Sequence, residues 1–237
     1  MTAAQLDPGH VHYQLIELPA AGSEDGASLL ARLSPLLSSD ERDRAAKFAI
    51  EQAHIQYVAA RVTLRRALAG YLGIDPAAVR FAKAERGKPY LPDHAIRFNV
   101  SHSGQLALLA FSRDLELGVD VEQVWADDDP FALADRFFSP AEIAALSALP
   151  ADQRRGGFFD LWTRKEAYIK ARGDGLHLSL SSFDVTCGPG VPARLLASRN
   201  HPDDVAHFAM FNLAVPDGYR AAVVAERPGG AEPTVVV

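Results

Sequence analysis

Twice along this chain a helix-forming stretch gives way to short alternating segments bounded by turn residues, and that order restricts the fold to helices packed on antiparallel sheet. The first stretch opens at Ser38, where Ser38 and Glu41 form a capping-box pattern with Asp40 in the first turn. Residues 42–72 hold few breakers, so they predict one bent helix or two abutting ones, closed by Gly73 and Asp75-Pro76. Alternation then predicts strands at 79–82, 96–100, 106–112 and 117–122, with Gly87-Lys88-Pro89, Pro92-Asp93 and the polar link Ser101-His102-Ser103-Gly104 between them. The second half repeats the order. Ser139, Pro140 and Glu142 supply N-cap, N1 and N3 of a helix reaching about residue 149. A further helix is predicted over 157–171, with Phe158, Leu161, Trp162 and Ile169 on one side and Gly173 or Gly175 at its end, and strands follow at 182–186, 206–213 and 219–225. Residues 20–28 read as small and flexible, and the tail from Arg227 reads as loose. The natural midpoint near Asp114 divides the chain into halves at 1–113 and 114–237, with a crevice between them as the expected site.

Composition excludes several function classes. A chain that is 48% hydrophobic and 23% charged is an ordinary globular protein, and a formal charge of -6 gives no basic footprint for nucleic acid or an anionic membrane. The single Cys187 can form neither an intramolecular disulfide nor a zinc cluster, which fits a reducing cytoplasm. The N-terminus lacks the basic and apolar regions of a signal peptide, and the longest plain apolar run, 106–111, is far short of the ~20 residues of a membrane span.

On the predicted strand Gly118-Val119-Asp120-Val121-Glu122 the two carboxylates lie at i and i+2 on one face, roughly 7 Å apart. Both reach one cation, although an isolated D-x-E is more often a solvated sheet face. On the predicted helix Trp162, Glu166 and Lys170 share one stripe; an exposed Glu-to-Lys pair accounts for the last two but not for the tryptophan above them. Magnesium takes hard oxygen ligands, and Asp120, Glu122 and Glu166 supply three from two elements. Ser101 and His102 sit at a strand end, suited to phosphate recognition or to a turn; no G-x-S-x-G or third triad member surrounds them. Lys88 in its turn and Arg44, Lys47, Arg61 and Arg65 on the first helix read singly as solvated, with one or two available for an anion.

Taken together, Gly87-Lys88-Pro89, Asn99-Val100-Ser101-His102-Ser103, Gly118-Val119-Asp120-Val121-Glu122, Phe137-Phe138-Ser139 and Trp162-x-x-Lys165-Glu166-Ala167-x-x-Lys170-Ala171-x-Gly173-x-Gly175-Leu176 resemble the 4'-phosphopantetheinyl transferases, in the order and spacing of the larger, Sfp-type class. The resemblance implies an α+β fold, a pseudo-twofold monomer of two similar helix-plus-antiparallel-sheet halves with the active site in the cleft between them. It implies transfer of the 4'-phosphopantetheine group of coenzyme A, the co-substrate, to a serine of an acyl or peptidyl carrier protein or of a synthase's carrier domain, with release of adenosine 3',5'-bisphosphate. Such chemistry serves fatty acid, polyketide or nonribosomal peptide biosynthesis. By the same resemblance Asp120, Glu122 and Glu166 match the ligands of Mg²⁺, with Mn²⁺ as an alternative, and Lys170 matches a lysine close to the diphosphate. Lys88, Ser101 and His102 match positions at the nucleotide end, with Arg44, Arg61 and Lys165 as further coenzyme A contacts. Glu166 and Lys170 are the catalytic pair implied, Glu166 as base, as ligand or as both. For an acidic carrier, Arg154, Arg155, Arg164 and Arg172 with Phe137 or Phe138 are the expected docking patch.

Overall fold

The computed structural model describes residues 5–125 and 130–237, so residues 1–4 of the N-terminal stretch considered above for a leader lie outside the described residues. The chain begins with a strand rather than a helix. His10–Glu17 (β1) buries Val11 and Tyr13 in alternation, and Ser23 then caps Glu24–Leu33 (α1) by accepting the Gly26 N–H, where the sequence had suggested a flexible link. The capping box at Ser38 closes in both directions, but the helix it starts, Ser39–Ala45 (α2), is short, and Glu51–Leu72 (α3) follows as a separate helix ended by Gly73 in the left-handed region. α3 buries Ile55, Val58, Val62 and Leu68, side chains worth about 1.5–3 kcal/mol each when fully withdrawn from water.

The small hairpin Ala82–Lys83 (β2) and Pro89–Tyr90 (β3) leads to Arg97–Ser103 (β4), Leu106–Ser112 (β5) and Leu117–Gln123 (β6). β4 continues through Ser103, so the predicted polar link is mostly strand and only the turn at Gly104 remains. Next come Pro130–Phe137 (α4), Pro140–Ala148 (α5) and Ala151–Arg172 (α6), which starts six residues ahead of the predicted 157. Phe183–Val185 (β7), Leu195–Ser198 (β8), Asp204–His207 (α7), Phe208–Asn212 (β9), Tyr219–Glu226 (β10) and Thr234–Val236 (β11) complete the chain.

Two principal sheets result, ordered β11-β1-β5-β4 and β6-β10-β9. The second is antiparallel throughout. The first is not, because the tail expected to be loose returns as β11 and pairs parallel with β1, Val235 opposite Val11. That pairing satisfies backbone groups of an edge strand, a long-range gain that the local glycines and prolines do not reveal. β5 is buried along its whole length: Ala107, Leu109 and Phe111 face α3, while Leu106, Leu108 and Ala110 share a cluster with Val119, Val121, Ala221 and Val223 of the other sheet. Its continuous apolar run is the mark of a strand covered on both faces. The opposite face of β10, Ala222 and Val224, packs with α6 in the cluster of Phe158, Leu161 and Tyr168. No helix among the described residues is long and apolar enough to cross a membrane.

Candidate active site

β4 and β6 are each the outermost strand of their own sheet, and they meet along a seam stitched by side chains rather than by a backbone ladder. Asn99 Oδ1 accepts the Val119 N–H at 3.0 Å, Ser101 Oγ donates to Asp120 Oδ1 at 2.8 Å, and Ser103 Oγ donates to Glu122 Oε2 at 2.7 Å. The contacts advance together along both strands, so hydroxyls at i and i+2 of β4 meet carboxylates at i and i+2 of β6. The turn beyond Ser103 is fixed from two sides, by Gln52 and Gln56 of α3 donating to Gly104 O and by Tyr219 Oη of β10 accepting the Gln105 N–H. Gly104 has a φ of +53°, a conformation that strains other residues, and a Cβ there would also have to displace the Gln123 amide and press on Tyr219 Oη.

α6 delivers the remaining groups. It lies so close over β6 that a Cβ on Gly118 would fall 2.2 Å from Ala167 O and 2.3 Å from Ala171 N. That approach carries Lys170 to Asp120, Nζ to Oδ1 at 2.6 Å, and to Ser101 Oγ at 3.1 Å. Asp120 is 2% exposed and its Oδ2 is buried with no hydrogen-bond partner. Carboxylates crowd here: burial first and then Asp120 push Glu122 up to about 7, with Glu166 adding and Ser103 and Lys170 opposing. Burial and Asp120 also raise Glu166. The three predicted acids therefore face one another. Among the described residues, however, no group of three is drawn in tightly enough to hold an ion, and Asp120 Oδ1 is taken by Ser101 and Lys170.

On the other face of β4 lies a groove. His102, Val100 and Phe98 point toward α3, where Tyr57, Arg61 and Leu64 line a hollow of about 160 Å³. It continues past Tyr57, Arg61 and Pro89 into a larger groove of about 670 Å³ that includes Arg44, Lys83 and Glu41. Arg44 and Arg61 lie over the Tyr57 ring at 5.5 and 6.0 Å, and Tyr57 Oη is buried without a partner. His102 is open to solvent yet set in a concave wall, whose desolvation, followed by the charge of Lys170, lowers its pKa. Alternation along β4 thus separates two residues the sequence grouped: His102 faces the groove, while Ser101 is bonded to Asp120 and Lys170 at the seam.

Two predicted coenzyme A contacts are otherwise engaged. Lys165 is 0% exposed on the far side of α6, where its ammonium pairs with Glu142 at 2.7 Å and donates to Leu180 O and Phe183 O, leaving no donor for a ligand. Lys88 uses its three donors on Glu116 Oε2, Leu117 O and Ala171 O, so it ties the β2–β3 hairpin to β6 and α6. The docking patch also loses members. Arg164 is fully buried against Thr186 O, Val191 O and Asn212, and Arg172 is paired with Asp174 and Asp204. Ser103 is the residue the sequence left without a role. Its signal was the spacing, a second hydroxyl at i+2 from Ser101 to match the second acid at i+2 from Asp120.

The description "4'-phosphopantetheinyl transferase, N-terminal" belongs to a family model that matches residues 27–114, and "4'-phosphopantetheinyl transferase superfamily" to one that matches residues 116–224. Over 172 residues the chain is 41% identical to the 4'-phosphopantetheinyl transferase HetI of Nostoc sp., covering 71% of this chain and 72% of that protein. A 4'-phosphopantetheinyl transferase of Bacillus subtilis is 35% identical over 167 residues, 70% of each chain. The 4'-phosphopantetheinyl transferase Sfp of Bacillus subtilis is 30% identical over 209 residues, covering 87% of this chain and 89% of Sfp. A solved Thermotoga maritima holo-[acyl-carrier-protein] synthase (AcpS) overlaps 47% of this chain and 62% of its own at a TM-score of 0.36 and 22% identity, too slight a likeness to argue from. On the breadth and identity of the sequence matches, this chain belongs to the 4'-phosphopantetheinyl transferase superfamily, in its larger Sfp-type class.

Proposed function

We propose that this chain converts apo to holo carrier proteins, moving the 4'-phosphopantetheine group of coenzyme A to a serine of an acyl or peptidyl carrier protein or carrier domain and releasing adenosine 3',5'-bisphosphate. The observation that carries the site assignment is the convergence at one seam of Asp120, Glu122, Glu166 and Lys170, with Asp120 Oδ2 buried and unpartnered. These residues fit a divalent cation, Mg²⁺ or Mn²⁺: hard oxygens from two elements, an orphaned carboxylate oxygen, and two further acids, Glu122 and Glu166, whose pKa values are raised first by burial and then by Asp120. Bound there, the cation would neutralise charge on the substrate diphosphate.

The chain's own residues supply the rest. Glu166, at the seam beside Asp120, takes the proton from the carrier serine as that serine's Oγ bonds to the phosphorus bearing the pantetheine arm. The bond from that phosphorus to the bridging oxygen breaks, and its electron pair leaves with adenosine 3',5'-bisphosphate. Lys170, bridging Ser101 and Asp120, meets the charge that grows on the leaving phosphate. Arg44, Arg61 and His102 line the groove that takes the nucleotide end.

Halves at 1–113 and 114–237 related by a pseudo-twofold axis, working as a monomer in the cytoplasm, complete the reading. In its support, each half packs a 22-residue helix ended by a left-handed glycine, Gly73 or Gly173, against antiparallel strands. Incubating the protein with coenzyme A, Mg²⁺ and a panel of apo carrier proteins tests the transfer. A phosphopantetheine mass increment on serine is expected. A folded protein that binds coenzyme A and modifies no carrier would overturn it.

A further inference from the structure

We propose that Ser103 is a positioning residue that aims Glu122 and thereby sets the affinity of the seam for a divalent cation; the inference rests on the cation reading of Asp120, Glu122 and Glu166. Ser103 Oγ accepts the Gln123 N–H at 3.1 Å and donates to Glu122 Oε2 at 2.7 Å, so its proton has one direction to point. Its neighbour two residues back does the same for the other strand acid, Ser101 donating to Asp120 Oδ1 at 2.8 Å. Each carboxylate is thus tethered through one oxygen, and the other, Asp120 Oδ2 or Glu122 Oε1, accepts no hydrogen bond among the described residues. Two untethered carboxylate oxygens on one face of a strand suit a hard cation that takes one or two carboxylates and completes its shell with water and phosphate oxygens.

The tether is itself held. Gln52 and Gln56 bond Gly104 O at 3.1 and 2.8 Å, and Tyr219 Oη receives the Gln105 N–H at 2.9 Å, so the Ser103 turn is anchored to both halves at once. Without the hydroxyl, Glu122 would keep its place in the chain but lose the bond that fixes its rotamer. Outer-shell partners of metal-binding carboxylates typically contribute 10- to 100-fold in metal affinity.

The test compares wild type, Ser103→Ala and Ser103→Thr as full chains saturated with coenzyme A. Mn²⁺ is titrated in, bound ion is read by electron paramagnetic resonance, and thermal melting without metal monitors the fold. Ser103→Ala is expected to weaken Mn²⁺ binding at least tenfold and to broaden the spectrum of the bound ion. Ser103→Thr, which keeps the hydroxyl, should stay within threefold of wild type. The inference is overturned if Ser103→Ala binds Mn²⁺ as wild type does, or if threonine is as weak as alanine. A wild-type protein that binds coenzyme A but no Mn²⁺ would remove the cation reading and this inference with it, whereas equal binding by all three proteins removes the inference alone.

Discussion

α6 carries Lys165 and Lys170 on opposite faces, and the fold uses them for unrelated ends. Lys165 is sealed between Glu142, Leu180 O, Phe183 O and the Phe183 ring, fixing α6 to α5 and β7. Lys170 reaches the seam and bridges Ser101 and Asp120. What separates them is the side on which β6 lies, decided by Gly118, which admits Ala167 and Ala171 to within the reach of a single methyl group. Lysines in one helical motif therefore divide between holding the fold and, on the proposed reading, serving the chemistry, and substitutions that separate stability from turnover test the division.

The largest effect is expected from Lys165→Ala. Leaving Glu142 charged and unpaired in the core costs about 3–5 kcal/mol, read as a lowered denaturant midpoint, while transfer per folded molecule changes little. Lys170→Ala should shift the weight to turnover: a loss of stability smaller than that of Lys165→Ala, because Lys170 is partly exposed and Asp120 keeps its Ser101 bond, and kcat lower by about 100- to 1,000-fold, the scale of removing one group that stabilises developing charge. Equal losses of stability, or equal losses of kcat, in the two variants would dissolve the contrast.

A smaller effect comes from pH. Glu122 sits near 7 in the folded, metal-free protein against an ordinary 4.5, so the folded state binds the proton more tightly. Its stabilising contribution is complete below about 4.5 and is lost as pH rises through about 7, on the order of 3 kcal/mol. Metal-free melting temperatures across that window should fall with pH, and Glu122→Gln should flatten the fall; a slope unchanged in the variant would place the titration elsewhere. Smallest is Lys88→Ala, expected to cost about 1–2 kcal/mol of stability through its three lost bonds and to change KM for coenzyme A less than threefold. A tenfold rise in KM would make Lys88 a ligand contact after all.

These contrasts also mark what the sequence could reveal. The strands β5 and β6 and the helix from Pro140 were legible because their signals are local: a continuous apolar run, an alternation, a capping box. Asp120, Glu122, Glu166 and Lys170 were legible as a set because strand and helix periods place them on single faces. β1 and β11 were missed, since parallel pairing between residues 10–12 and 234–236 leaves no local trace in a tail rich in glycine and proline. Lys165 was misread because helical spacing gives relative angles but not which angle faces the sheet. Ser101 and His102 were grouped by adjacency, although adjacent strand residues face opposite ways, and Ser103 passed as turn chemistry because the partner that defines it, Glu122, belongs to a different sheet.

The central claim is that the acids at the seam work through a divalent cation set against the coenzyme A diphosphate. Its most direct test is the rate of carrier modification by wild type and Asp120→Asn, measured in excess chelator and again after Mg²⁺ is restored. Wild type should stop in chelator and recover fully with Mg²⁺, while Asp120→Asn, folded and binding coenzyme A, should stay at least 100-fold below the Mg²⁺-restored wild-type rate in both conditions. Transfer by wild type that continues undiminished in chelator, or an Asp120→Asn variant as fast as wild type, would contradict it.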